Sequence, residues 1–218
     1  MTDLHLDLAG EAVRLLPERA LFWPRSCALV VADVHWGKAA AFRSAGIPIP
    51  GGATRRDLDR LDSAIGRTGA RRLIVLGDLF HARAGRVATR TLANLRSWRA
   101  ERESLEIQLV RGNHDRHAGD PPPDLRINCL DAPAFLPPFV MRHEPRLTDG
   151  GYTLAGHVHP GVVISGRGLF SDRLACFVVG ERLAVLPAFG SFTGMGMVRP
   201  EEGERLFAVA EDEVVEIA

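Results

Sequence analysis

Acidic, amide and imidazole side chains recur in five short clusters along the chain. In order, the clusters are Asp33-Val34-His35, Gly77-Asp78, Gly112-Asn113-His114-Asp115, the isolated His143, and Gly156-His157-Val158-His159. A mixture of carboxylate, imidazole and amide oxygen suits Mn, Fe or Zn better than Ca or Mg, which prefer shells made only of oxygen. The clusters therefore contain candidate ligands for divalent transition metals.

The spacing within two of these clusters predicts that their side chains converge. Asp33 and His35 are two residues apart, and alternate side chains of an extended segment point the same way. His157 and His159 repeat that spacing. A carboxylate shared by two cations would let them lie about 3.5–4 Å apart, where they can hold the attacking and leaving oxygens of an in-line phosphoryl displacement. The pattern predicts a two-metal phosphoesterase.

Three buried strands are predicted to carry the first clusters. Residues 27–32, 73–76 and 105–110 are short apolar runs, and each leads into one of the polar clusters. The helical spacing of apolar residues and the stop signals predict helices between the strands, at residues 37–46, 54–69 and 87–103. Strands that alternate with helices form parallel sheets, which collect ligands at the carboxyl edge of their strands.

The pattern changes after the Pro-rich connection at residues 120–124. Short apolar runs separated by Gly, Pro and Asp follow it: RINCL, FVMRH, YTLAG, GVVIS, LACFVV, LAVLP, RLFAV and EVVEI. We expect this half to form a mixed or antiparallel sheet. Because the clusters are divided between the halves, two sheets packed face to face are needed to unite them. No linker or repeat is found, and residues 1–218 are predicted to form a single domain.

Composition limits the classes of partner. Lys+Arg and Asp+Glu both total 27, so no whole-molecule field attracts nucleic acid or anionic membrane, and any such attraction must be local. Cys27, Cys129 and Cys176 lack the spacing of a zinc or redox pair and are expected to be free thiols. The first residues lack the pattern of a secretory signal, and no later stretch could span a bilayer, so we expect a reducing cytoplasm.

The ordered clusters resemble the pattern of the calcineurin-like metallophosphoesterases. That pattern is DxH, GD, GNH(D/E), an isolated His and GHxH, and all five parts occur in this order over residues 33–159. No single part is specific, whereas the ordered set is. The resemblance implies an α/β fold, a four-layer αββα sandwich of two packed mixed β-sheets flanked by helices.

The resemblance also implies roles for the site residues. Asp33, His35 and His159 would hold one metal, Asn113, His143 and His157 the other, with Asp78 bridging the two. His114 would contact the phosphate and protonate the leaving oxygen, and Asp115 would orient the His114 imidazole. The nucleophile would be a water or hydroxide between the metals. His143 rests on the shortest motif, and its alternative interpretation is an exposed histidine beside Glu144.

Four further features have two interpretations each. His81 is three residues after Asp78 and is either a substrate-contacting or supporting catalytic residue or a solvated loop histidine. Trp36 and Lys38 either touch substrate or, for Trp36, pack the turn after the first strand. The Gly-rich residues 190–196 lack the GK[ST] ending of a nucleotide-binding loop, which favours a turn at the rim of the site. His117 is expected at the surface, and the alternative interpretation is a contact with substrate.

Longer segments of the sequence, beyond the five clusters, are similar to one bacterial subfamily. DVHWGKAAAFRSAGIPIPGG, GDLFHAR and LPAFGSFTG resemble the ligase-associated metallophosphoesterases, described as DNA damage response endonucleases. Members commonly have Leu where Trp36 stands. The resemblance implies two divalent transition metals with Mn preferred, Fe or Zn being possible. It also implies single-stranded DNA as substrate, and association in DNA repair with an ATP-dependent ligase, a helicase and an exonuclease.

Two other functions compete with this interpretation. A small-molecule phosphodiesterase or phosphomonoesterase would use the same metals in a closed pocket, but no long insertion between the motifs could form a cap. A metal-free interaction scaffold would have no physical need for seven convergent metal-binding groups. The sequence favours the endonuclease.

Overall fold

The first half of the chain forms a sheet of seven strands in sequence order. The computed structural model describes residues 1–165 and 171–217. The strands are β1 (Leu4–Leu8), β2 (Glu11–Leu16), β3 (Ala20–Trp23), β4 (Ala28–Ala32), β5 (Arg72–Leu76), β6 (Glu106–Val110) and β7 (Ile127–Leu130). Strands β1 to β4 pair antiparallel, and β4 to β7 pair parallel. The carboxyl ends of β4, β5 and β6 therefore lie side by side.

The α-helices of the described residues all occur between β4 and β7. They are α1 (Lys38–Ser44), α2 (Ala53–Thr68), α3 (Arg83–Arg86), α4 (Thr89–Ala100) and α5 (Asn113–Ala118). In α2, Leu58 and Leu61 are buried because their spacing places them on one face, and Gly69 ends the helix in a left-handed conformation. Two short 3-10 helices, Pro24–Ser26 and Pro123–Leu125, precede β4 and β7.

The second half forms a mixed sheet. Its strands are β8 (Ala134–Leu136), β9 (Phe139–Met141), β10 (Tyr152–Ala155), β11 (Pro160–Ser165), β12 (Ser171–Val179), β13 (Leu183–Val185), β14 (Gly196–Met197), β15 (Arg205–Val209) and β16 (Val214–Glu216). The order is β14-β11-β12-β13-β10-β9-β8, and β15 pairs with both β12 and β16. Strands β9, β10 and β13 are parallel, whereas β12 is antiparallel to β13.

Two apolar cores hold these layers together. Val30 and Leu76 of the first sheet share a core with Leu154 and Phe177 of the second sheet. The other face of the first sheet packs under the helices, in a core that includes Leu29 of β4 and other buried residues of α2 and α4. Successive residues of β4 thus alternate between the two cores, which explains its unbroken apolar sequence.

The predicted strands and helices of the first half are confirmed, as are two packed mixed sheets with flanking helices. The predicted place of the RINCL run in the second sheet is wrong, because β7 extends the first sheet beside β6. The α-helices pack on the first sheet, and the connections between strands of the second sheet contain no α-helix among residues 1–165 and 171–217. No helix there is long and apolar enough to cross a membrane.

Candidate metal centre

The seven candidate ligands converge from both sheets. Asp33 follows β4, Asp78 follows β5, and Asn113 follows β6 as the first residue of α5. His143 lies two residues after β9, and His157 and His159 lie in the connection from β10 to β11. The parallel strands of the first sheet thus supply two carboxylates and an amide, and the second sheet supplies three of the four imidazoles.

One group of ligand atoms centres on Asp33. Asp33, His35 and His159 each offer an atom within 4.8 Å of the other two. Asp33 Oδ1 lies 3.2 Å from His159 Nε2, yet neither atom has a hydrogen-bond partner within the described residues. Both nitrogens of His35 are likewise buried without a partner. Because buried polar atoms are normally hydrogen-bonded, these atoms indicate a ligand for which they are placed side by side.

A second group surrounds His143. Its Nε2 lies 2.9 Å from Asn113 Oδ1, 3.0 Å from His157 Nδ1 and 3.4 Å from Asp78 Oδ2. The Nδ1 of the same ring lies 2.9 Å from the carbonyl oxygen of Leu76. A carbonyl only accepts hydrogen bonds, so Nδ1 carries the hydrogen, and this contact fixes the ring with Nε2 facing the group.

The two carboxylates lie between these groups and divide their oxygens in the same way. Asp33 Oδ2 accepts the backbone N–H of His157 at 2.8 Å, and Asp78 Oδ1 accepts that of His114 at 3.0 Å. The other oxygen of Asp78, Oδ2, faces three imidazole Nε2 atoms, at 3.4 Å for His143, 3.8 Å for His114 and 4.0 Å for His35. Asp33 belongs to both of the clusters that could hold a metal ion.

The electrostatics of the centre favour a cation. Burial lowers the pKa of His143, but the hydrogen bond and charge of Asp78, with the charge of Asp33, outweigh burial and raise that pKa to about 9. A raised imidazole pKa shows that these carboxylates stabilise positive charge among them. Burial lowers the pKa of His35 to about 2, so its ring is neutral at pH 7, the form that binds metals.

The backbone conformation of the candidate ligands differs from the predicted extended one. We expected alternate side chains of extended segments, but five candidate ligands have left-handed backbone. Their φ angles are +53° for Asp33, +52° for His35, +54° for Asp78, +75° for His157 and +49° for His159. Such conformations cost non-glycine residues about 1–3 kcal/mol each and concentrate at functional sites. The strain is offset by the contacts that hold these turns.

Asp115 does not orient the His114 imidazole, which corrects the implied role. Its buried carboxylate accepts the backbone N–H groups of Asp78 at 2.7 Å, Leu79 at 3.0 Å and Gly112 at 2.9 Å. These donors belong to the turns after β5 and β6, where no strand partner remains for them. Asp115 therefore links the two turns, and both of its carboxylate oxygens accept hydrogen bonds from their backbone N–H groups.

The backbone of His81 does what Asp115 was expected to do. The His114 Nδ1 lies 2.7 Å from the carbonyl oxygen of His81, so that nitrogen carries a hydrogen and Nε2 turns toward Asp78. The half-buried His81 ring stacks on the His114 ring at 4.9 Å between centroids and 27° between planes. Burial, with the charges of Lys38 and His114, lowers the pKa of His81 to about 4.

Two aromatic residues that the sequence did not single out lie at the rim. Phe42 lies 5.9 Å from the His81 ring and 5.7 Å from Phe192, and Lys38 Nζ lies 6.0 Å above Phe192. Phe192 belongs to residues 190–196, whose expected place at the rim agrees with this position. The sequence could have indicated Phe42, since this residue lies one helical turn after Lys38 in α1.

Trp36 and His117 can be placed directly. Trp36 is only 2% exposed and packs against Phe80 and Trp98, so the packing interpretation holds and substrate stacking does not. His117 is exposed, with Nδ1 2.7 Å from the carbonyl oxygen of Asn113. The cysteines Cys27, Cys129 and Cys176 are free, as expected.

The donor set fits two divalent transition ions. It combines two carboxylates, four imidazoles and one amide, a mixture that suits Mn, Fe or Zn. The unpartnered atoms Asp33 Oδ1, His35 Nε2 and His159 Nε2 are those that a cation would satisfy. A family profile described as "Calcineurin-like phosphoesterase" matches residues 28–178 of this chain.

The chain belongs to the calcineurin-like phosphoesterase family. As a calcineurin-like phosphoesterase it is an enzyme of phosphoester hydrolysis, in a family that uses divalent metals. It is similar to Pseudomonas putida nuclease MPE, with 42% identity and a TM-score of 0.86 over 99% of this chain and 100% of that one. A second solved structure, the E. coli phosphoesterase Yfce, has 17% identity and a TM-score of 0.39, over 88% of this chain and 98% of that one. No curated protein matches.

Proposed function

We propose that this protein is a metal-dependent DNA endonuclease that hydrolyses phosphodiesters of single-stranded DNA. The observation that carries the proposal is the 42% identity, across 99% of the chain, to a calcineurin-like protein described as a nuclease. The ordered motifs of the site support hydrolysis of a phosphoester, and the similarity to a nuclease supports a nucleic acid as the substrate.

Two divalent ions, with Mn preferred, are proposed to bind the seven converging residues. One would be held by Asp33, His35 and His159, and the other by Asn113, His143 and His157, with Asp78 between them. The short distances from His143 Nε2 to Asn113 and His157 support the second group. When bound, such cations would neutralise charge on the phosphate and acidify a water molecule.

His114 is the proposed donor of a proton to the leaving oxygen. Its Nδ1 hydrogen is held by the His81 carbonyl, so only Nε2 can face a substrate at the centre. A doubly protonated His114 ring can release its Nε2 proton while the Nδ1 contact persists. The stacked His81 ring restricts the orientation of His114, and we propose His81 as a catalytic residue that acts beside it.

The biological setting is also a proposal. The resemblance to the ligase-associated subfamily supports a role in DNA repair, with functional association with an ATP-dependent ligase, a helicase and an exonuclease. Free cysteines in the described residues agree with a reducing cytoplasm.

Incubation of the purified protein with circular single-stranded DNA and Mn tests the proposal. Because a circle has no ends, its conversion to linear and shorter products requires internal cutting. The Asp78→Asn variant is the matched control for a contaminating nuclease, since it alters one carboxylate at the centre. Intact circles after incubation with the wild-type protein, together with turnover of a chromogenic diester or a cyclic dinucleotide, would contradict the DNA assignment and indicate a small-molecule phosphodiesterase.

A further inference from the structure

A cleft opens beside the candidate metal centre, on the side of Asn113 and His143. Its volume is about 200 Å³, and both of these candidate ligands form part of its wall. Four arginines line the same cleft: Arg111, Arg116, Arg142 and Arg146. The cleft is therefore continuous with the centre and strongly basic on a chain whose formal net charge is zero.

Three of these arginines carry charge that the fold does not use. Arg111 is paired with Asp120 at 2.7 Å and with Asp131 at 3.1 Å. Arg116, Arg142 and Arg146, by contrast, form no ion pair among residues 1–165 and 171–217. Glu144 is the one carboxylate in the lining, so uncompensated positive charge remains in the cleft.

The guanidinium of Arg142 is only partly hydrogen-bonded within the described residues. Its Nη1 donates to Thr148 Oγ1 at 2.7 Å, while its Nε is buried without a partner. Arg142 also directly precedes the candidate ligand His143, and Arg116 lies in the same short helix as Asn113. The motifs that supply two candidate ligands thus also deliver two arginines to the cleft wall.

Like charges in a concave site repel each other, and a bound anion offsets this repulsion. Clefts lined by one sign of charge focus the electrostatic field and raise the local concentration of the opposite charge. Guanidinium groups bind phosphate through two parallel N–H donors, and such contacts do not depend on base sequence. The charge and the position next to the centre therefore fit a phosphate adjacent to the one being cut.

We propose that this cleft, through Arg116, Arg142 and Arg146, binds the backbone phosphates that flank the scissile phosphodiester of a DNA strand. The inference rests on the proposed function and adds the direction that the strand takes, past Asn113 and His143. A small diester has only the scissile phosphate and cannot use these arginines. The cleft thus makes the enzyme select a polymer over a small diester at the same centre.

The first test measures binding of a fluorescent oligothymidylate as a function of salt. A His114→Ala background slows cleavage while keeping the seven candidate ligands. Replacing Arg116 and Arg146 by Gln in this background is expected to weaken binding about tenfold or more and to reduce the slope of log affinity against log salt by about 1.4, roughly 0.7 per lost phosphate contact. Arg71→Gln with Arg173→Gln is the matched control, because both arginines are exposed and lie outside the cleft.

The second test compares two substrates in the otherwise wild-type enzyme. The Arg116→Gln/Arg146→Gln variant is expected to raise the KM for single-stranded DNA about tenfold. Its loss of kcat/KM on DNA should exceed its loss on bis(p-nitrophenyl) phosphate by the same factor. The ratio separates strand binding from damage to the centre, which would reduce both reactions equally.

The outcomes distinguish this inference from the proposed function. Unchanged DNA binding and salt slope, or equal losses on both substrates, would overturn the role of the cleft while leaving the nuclease assignment intact. Wild-type protein that leaves DNA uncut but loses oligonucleotide binding on Arg116 and Arg146 substitution would support the cleft and contradict the nuclease. Wild-type protein that neither binds nor cuts DNA would contradict both.

Discussion

At the scale of residues, the centre depends on side chains that bond the backbone through one polar atom and direct the other polar atom toward the candidate metal site. Asp33 and Asp78 each give one oxygen to a backbone N–H and leave the other toward imidazoles. His143 and His114 each give Nδ1 to a carbonyl oxygen and leave Nε2 toward the centre. These backbone contacts fix the orientation of the remaining atoms before any ligand arrives, so little ordering is left to be done on binding.

Asp115 and His114 are adjacent, but substitution of Asp115 should mainly reduce stability, whereas substitution of His114 should mainly reduce activity. Asp115→Asn places amide hydrogens against backbone donors, and we expect it to lower the free energy of unfolding by roughly 2–3 kcal/mol. His114→Ala removes a partly exposed ring and should lower phosphodiester hydrolysis about 100-fold or more with little change in stability. Urea unfolding monitored by circular dichroism, alongside a diesterase assay, measures both effects.

The comparison between the two variants is what decides the role of Asp115. A fully stable Asp115→Asn protein that loses activity as His114→Ala does would mean that the carboxylate acts on the imidazole after all. An Asp115→Asn protein that is less stable but keeps its activity while folded would show that the carboxylate supports the turns and does not act on the His114 imidazole.

At the scale of elements, the sequence predicted strands well and turns poorly. The runs ending at Ala32 and Leu76 were correctly predicted because both faces of β4, and of β5 after Arg72, are buried, which requires continuous apolar residues. In β6, which ends at Val110, Ile107, Leu109 and Val110 are buried, whereas Glu106 is exposed. The candidate ligands could be chosen because their residue types and order are specific. Their left-handed backbone could not be predicted, since it is imposed by contacts such as that of Asp115 with Asp78, 37 residues apart.

The same reasoning explains why β7 was assigned to the wrong sheet. Apolar alternation predicts a strand at Ile127–Leu130 but carries no information on its neighbour, which is selected by packing against β6. The role of Asp115 was misassigned for a related reason. Sequence adjacency to His114 suggested a contact, but α5 directs the Asp115 side chain toward the backbone of the β5 turn.

The turn from β6 into α5 provides a prediction at this scale. A Cβ on Gly112 would collide with the Asp78 carboxylate, and would lie 2.8 Å from the Asp78 backbone nitrogen and 2.9 Å from His143 Cδ2. Gly112→Ala must therefore displace Asp78 or His143, and we expect a loss of roughly 1–3 kcal/mol in stability together with a fall in bound Mn. Unfolding curves and metal analysis by inductively coupled plasma mass spectrometry measure the two effects.

Gly66→Ala is the matched control for Gly112→Ala. Gly66 lies inside α2, and a Cβ there meets no atom within 4 Å. This variant should gain roughly 0.5–1 kcal/mol in stability from the helix propensity of alanine and keep its metal content. Wild-type metal content in Gly112→Ala would show that the close packing of this turn is unimportant to the centre.

At the scale of the whole molecule, the centre joins the two sheets. Asp33, Asp78 and Asn113 come from the first sheet, and His143, His157 and His159 from the second half of the chain. The apolar core between the sheets already holds them in contact. Bound cations would add a further link, because a ligand that binds only the folded state stabilises that state.

Mn should therefore raise the melting temperature of the metal-free protein. At a free Mn concentration about 100 times the Kd, the added stability is about 2.7 kcal/mol, which for a chain of this size corresponds to roughly 5–11 °C. His143→Ala should lose most of the increase, because His143 Nε2 contacts ligands from both halves. His5→Ala, which removes an exposed histidine on β1, should keep it. Differential scanning calorimetry after chelation and on stepwise addition of Mn measures the shift, and an equal increase in wild type and His143→Ala would place the stabilising ion elsewhere and remove His143 from the proposed ligands.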